Sequence, residues 1–209
     1  MIDVSTLATY VAVVLGLFLI PGPAVLLVLA RSISGGRRVG VATGFGIACG
    51  DLVHTAMASF GLSAVLMTSA LAFSLVKYAG VAYLIVLGIR ALMEKGDDLH
   101  LAAPAKRLKA GRAFRQAILA EMLNPKTALF FLAFLPQFVR PEHGAVVAQF
   151  AVLGLVFVAM SAGYTSMIAL AAGQVSRWLG RHRRIGRWQG RLVGSIYIAL
   201  GLRLAFQER

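Results

Sequence analysis

Residues Ala120–Phe138 read AEMLNPKTALFFLAFLPQF. Within this apolar run Glu121, Asn124 and Lys126 stand around a helix-breaking Pro125. An ionisable side chain at the centre of a bilayer costs roughly 3 kcal/mol on insertion scales, so charges held at that depth mark a pathway or a site. Pro125 lacks the N–H that the carbonyl of Glu121 would otherwise receive. A carboxylate, an amide, an ammonium and a freed carbonyl therefore share one short stretch, which suits the binding of a substrate or an ion.

The rest of the chain puts this stretch in a membrane. Of its 209 residues, 59% are hydrophobic and 14% charged, and the mean hydropathy is +0.80. Those values exclude an ordinary soluble domain and a disordered chain alike. Val4 to Ala30 carries no formal charge. As a helix it would be about 40 Å long against a hydrocarbon layer of about 30 Å. It reads as a retained span rather than a secretory leader, because only Asp3 precedes it and Pro21-Gly22-Pro23 interrupts it. Further apolar segments run over Val39–Leu62, Ala70–Leu92, Ala113–Val139, Ala145–Ala172 and Leu192–Phe206, with the second and third divided only by a weak turn signal.

The net charge of +13 does not point to nucleic acid once its placement is considered. Arg31, Arg37 and Arg38 follow the first span; Lys95, Lys106, Arg107, Lys109, Arg112 and Arg115 lie between the third and fourth; Arg177, Arg181, Arg183, Arg184, Arg187 and Arg191 lie between the fifth and sixth. The opposite side holds Arg140, with Arg203 and Arg209 near the C-terminus. By the positive-inside rule the basic loops are cytoplasmic and both termini lie outside. Cys49 is the single cysteine, so the chain cannot close a disulfide within itself.

The polar stretch Glu94–Arg112 separates three spans from three. The two halves end alike: Lys77, Gly80 and Tyr83 followed by Gly88 and Arg90, against Arg191, Gly194 and Tyr197 followed by Gly201 and Arg203. An odd number of spans per half makes such copies inverted repeats, the arrangement in which corresponding broken helices build a midplane site in secondary transporters. The first span of each half is indeed interrupted, by Pro21-Gly22-Pro23 in one and Asn124-Pro125-Lys126 in the other.

Pro21 and Pro23 free the carbonyls of Leu17 and Leu19, and a half-helix starting after Pro23 would aim its N–H groups at an anion such as an amino-acid carboxylate. The bland alternative is a kink that helps packing. In the second span, 100° per residue gathers Gly40, Gly44, Ile47, Asp51, His54, Thr55 and Ala58 in one sector, with Phe45, Leu52, Val53 and Phe60 opposite. Asp51 should thus meet a helix or cavity rather than lipid. It reads either as a proton or ammonium acceptor or as a structural partner of Lys77, Lys126 or a backbone group. His54 reads either as a relay member or as a polar packing residue. Lys126 is expected to pair with Asp51 or Glu121. No H-E-x-x-H, G-x-S-x-G or P-loop is present, and the four histidines are scattered, so no enzyme, metal centre or cofactor is expected.

These residues carry a likeness. LNPKTALFFLAFLPQF (Leu123–Phe138), Pro21-Gly22-Pro23, the stretch Gly50–His54 and KYAGVAYL (Lys77–Leu84) together resemble the LysE/RhtB family of bacterial amino-acid exporters over essentially the whole chain. Many relatives have Asn where this chain has Glu121. The resemblance implies inner-membrane efflux of amino acids or derivatives, such as homoserine, threonine, leucine or basic amino acids, driven by the proton motive force.

The expectation is thus an all-α integral membrane protein of six transmembrane helices as two inverted repeats, 1–96 and 113–209, joined by a cytoplasmic linker, 97–112. Pro21, Gly22, Pro23, Asn124, Pro125 and Lys126 are the expected substrate-binding residues, and Asp51, Glu121 and His54 the proton-coupling ones. The expected partners are a small-molecule amino acid, protons and the lipid bilayer, with a homodimer allowed. A cation or metal-ion exporter, and a membrane scaffold or enzyme, are the competing readings.

Overall fold

The structure is a computed structural model that describes residues 2–19, 22–64 and 108–181, together with isolated helical positions between 71 and 93 and between 195 and 202; between residues 174 and 181 only the backbone is described. Pro21, most of the third and sixth expected spans, most of the linker and the paired motifs at Lys77–Arg90 and Arg191–Arg203 lie outside the described residues.

Every regular element among the described residues is helical. Helix α1 runs Val4–Leu19, α2 Pro23–Gly35, α3 Arg37–Met57 with a π-turn over Ala58–Leu62, α4 Ala110–Met122, α5 Pro125–Leu129, and α6 Val146–Arg181. A π-turn over Phe130–Phe134 and a 3-10 turn over Leu135–Phe138 extend α5. Arg37–Leu62 and Val146–Gly173 are each long and apolar enough to cross a membrane. The pairs α1–α2 and α4–α5 qualify when each is taken as one span bent at its proline break, by 55° and 44° respectively. The breaks thus fall where the prolines remove backbone donors.

Small residues let these helices approach closely. A side chain at Gly46 would strike the Phe114 carbonyl and Ala117 of α4, and one at Gly50 would strike the Cβ of Glu121. The expected inward sector of α3 is realised: Gly40, Gly44, Ile47, Asp51, His54, Thr55 and Ala58 are buried, while Phe45, Leu52 and Phe60 are exposed. Those exposed apolar side chains fit a lipid-facing surface.

Contacts at the two ends agree with the charge pattern. At one end the Arg31 guanidinium donates to Gln116 Oε1 at 3.0 Å, joining α2 to α4. At the other, Asp3 Oδ2 lies 3.7 Å from Arg140, and Asp3 caps α1 by accepting from the Thr6 amide at 2.7 Å. That amide, with the Ser5 and Thr6 hydroxyls, holds the exposed Asp3 carboxyl well below the usual carboxylate range. Gln149 pins the loop after α5, accepting from the Arg140 amide and donating to the carbonyls of Arg140 and Gly144.

Candidate functional site

Asp51 lies about 21 Å along α3 from Arg37, at roughly 1.5 Å per residue. That depth is well inside a hydrocarbon layer of about 30 Å. Here the N-terminus of α2, the α4–α5 break, the middle of α3 and the middle of α6 converge on a cavity of about 40 Å³. Such a space suits a few water molecules rather than an amino acid.

The α4–α5 break is held by its own side chains. Asn124 caps α5: its Oδ1 accepts from the Lys126 amide at 3.1 Å. Its Nδ2 donates to Glu121 Oε1 and Oε2 at 3.0 and 3.1 Å, and the Thr127 hydroxyl also donates to Glu121 Oε1. The Glu121 carboxyl is thus fixed in place, 2% exposed. Pro125 frees the Glu121 carbonyl as expected, and that oxygen accepts from the Asn124 amide at 2.9 Å. It also lies 3.0 Å from His54 Nε2. A carbonyl can only accept, so that nitrogen carries the proton. His54 is buried against the Phe131 ring and does not line the cavity.

Lys126 reaches the other break. Its Nζ donates to the Leu17 carbonyl at 2.9 Å, the very oxygen that Pro21 deprives of a helical donor. Its stem lies across Gly22, where a Cβ would stand 3.0 Å from Lys126 Cδ. The expected pairing with Asp51 or Glu121 overlooked this freed carbonyl. Gly22 is extended and precedes α2 without a side-chain cap, and the Leu26 amide donates to the Gly22 carbonyl. The positive end of α2 therefore borders the cavity beside Lys126, through Gly22, Ala24 and Val25.

Asp51 faces them. It is 1% exposed, and neither carboxylate oxygen has a hydrogen-bond partner among the described residues, with the Ser161 hydroxyl and Glu121 as neighbours. A buried anion left in that condition is costly, and an ammonium or a proton removes the cost. The lining thus holds both a cationic group and carboxylates. The remaining wall is apolar and aromatic, from Leu17, Phe18, Ile47, Phe157 and Tyr164. Phe157 packs 5.1–5.2 Å from Phe18, Phe130 and Phe131, and Phe18 stacks on Tyr164 at 5.3 Å.

Of the expected residues, Gly22, Asn124, Lys126, Asp51 and Glu121 share the cavity wall, while Pro23 and Pro125 shape the breaks beside it. Sequence reasoning missed Thr127, Ser161 and Tyr164. A signal for Ser161 was present, since Leu153, Phe157, Ser161, Thr165 and Ala169 recur every four residues and are all buried. No group of three or more potential metal ligands occurs among the described residues.

Comparison with known proteins bears on this geometry. The chain is 34% identical over 205 residues to an uncharacterized membrane protein of Pseudomonas aeruginosa, covering 94% of this chain and 93% of that one. It is 32% identical over 190 residues to the homoserine/homoserine lactone efflux protein of Salmonella typhimurium, covering 90% of each. It is 27% identical over 197 residues to the leucine efflux protein of Salmonella choleraesuis, covering 94% and 93%. No solved structure matches the chain. The model of the LysE type translocator family matches residues 15–208. The chain belongs to the LysE type translocator family, and is a membrane transporter rather than an enzyme.

Proposed function

We propose that the protein is a secondary-active exporter of amino acids or their derivatives in a bacterial inner membrane. The observation that carries this reading is the gathering of opposite charges at one cavity, whose lining includes Lys126 and the start of α2 together with Asp51 and Glu121. A zwitterion offers a carboxylate to the first and an ammonium to the second. The relatives named for leucine and homoserine efflux support the same substrate class.

In this mechanism Pro21, Gly22 and Pro23 open the backbone that receives the carboxylate, and Asp51 takes the ammonium or, between substrates, a proton. Asn124 and Pro125 build the break that orients Glu121, and His54 steadies that break through the Glu121 carbonyl. Residues 1–96 and 113–209 act as two inverted three-helix repeats of a six-span carrier, linked by a cytoplasmic segment 97–112. Rocking of one against the other alternates access, with both termini periplasmic.

The test is efflux from proteoliposomes preloaded with labelled leucine, homoserine, threonine and lysine, under imposed pH gradients. Efflux of at least one amino acid, accelerated by an inward proton gradient, is expected. Transport of metal cations alone, or no transport by correctly inserted protein, would overturn the reading.

A further inference from the structure

The two helix breaks are joined by one side chain. Pro21 leaves the Leu17 carbonyl without its helical donor, and Lys126, two residues past Asn124, supplies one across the cavity at 2.9 Å. Gly22 gives the stem room to pass, with Lys126 Cδ, Nζ and Cε at 3.0, 3.4 and 3.7 Å from where a Cβ would be. This bond ties α1 to α5 at a cavity of about 40 Å³. The Leu17 carbonyl is a neutral acceptor. A carboxylate entering the same cavity offers the ammonium an ionised acceptor, and charge-assisted bonds between ions are about twice as strong as those with a neutral partner.

We infer that Lys126 is the carboxylate sensor of the carrier: it clamps the two broken helices together through the Leu17 carbonyl when the cavity is empty, and releases them by transferring to the substrate's carboxylate. This rests on the exporter reading above for its ligand, but the clamp itself is a property of the empty protein. The transfer couples recognition to movement. Asp51, with neither oxygen hydrogen-bonded among the described residues and lining the same cavity, holds the substrate's ammonium but leaves the clamp closed. Glu121 is already engaged by Asn124 and Thr127. A compound with an ammonium and no carboxylate should therefore bind without being carried.

Two measurements test this in full-length protein with Cys49→Ser. Spin labels at Leu15→Cys on α1 and Leu132→Cys beyond α5, both lipid-exposed positions, report the separation of the two broken helices by double electron–electron resonance. Without any ligand, Lys126→Met should broaden and lengthen the distance distribution, and Lys126→Arg, which keeps a cationic donor, should restore it. Gly22→Ala, which crowds the Lys126 stem, is the second route to an opened clamp should Lys126→Met not insert. An unchanged distribution in the ligand-free variants overturns the inference.

The second measurement compares leucine with leucinamide in proteoliposomes. The amide should keep KM within about threefold while kcat falls about tenfold or more, because it lacks the interaction made only on release. Equal kcat for both overturns the inference. If no amino acid is exported at all, the exporter reading falls, and the ligand-free distances alone decide whether the clamp exists.

Discussion

Replacing Asp51 by Asn should make the protein more stable and a poorer carrier at once. The carboxylate is 1% exposed and neither oxygen is hydrogen-bonded among the described residues. A buried polar group in that state costs about 1–3 kcal/mol, more when charged. Asn keeps the shape and removes the charge, so at a pH high enough to ionise Asp51 in the empty protein a gain of about 1–3 kcal/mol is expected, at roughly 2–4 °C of melting temperature per kcal/mol for a chain of this size, shrinking towards zero where the carboxyl holds its proton. Substrate binding moves the other way. Loss of a charge-assisted bond to an ammonium, about 1.5–3 kcal/mol, raises KM about 10–150-fold. Melting followed by intrinsic tryptophan fluorescence in detergent, and efflux by proteoliposomes holding equal amounts of inserted protein, measure the two effects. A variant that melts lower than the wild type, or that exports with unchanged KM and pH dependence, would refute the reasoning.

Asn124→Ala removes the cap of α5 and both bonds to the Glu121 carboxyl; it should lower stability by about 1–2 kcal/mol and reduce efflux, read by the same melting and transport assays. Gly50→Ala should cost about 1–3 kcal/mol by overpacking, because the new methyl meets the Glu121 Cβ, whereas Gly61→Ala, with open space around it, should leave the melting temperature unchanged. Asp3 has its carboxyl depressed by its cap bonds, so its contribution is complete above the unfolded value of about 3.9 and fades as pH falls below it. Wild type and Asp3→Asn should differ in melting at pH 7 and converge in strong acid.

Much of this architecture was legible because apolar length and charge are strong signals in a membrane chain. The sector of α3 that buries Asp51 and exposes Phe45 followed from helical period alone, and both breaks followed from proline chemistry. The boundaries were coarser: α3 begins at Arg37 rather than Val39, and α6 continues to Arg181 rather than stopping near Ala172, since basic residues at a helix end are compatible with continued helix. Partner choice was the harder problem. Counting charges sought a carboxylate for Lys126 and did not disclose its bond to the Leu17 carbonyl, which comes from a residue far away in sequence. Nor did the pattern disclose that Asn124 spends its side chain within the break, on Glu121, Thr127 and the Lys126 amide.

His54 grips position 121 by its main-chain oxygen, not by its side chain. The fastening of α3 to the neighbouring break is consequently indifferent to which amino acid stands there. Exchanging acid for amide at that position would change what the cavity wall presents, and with it the bonds to Asn124 and Thr127, while the girder behind it stays put.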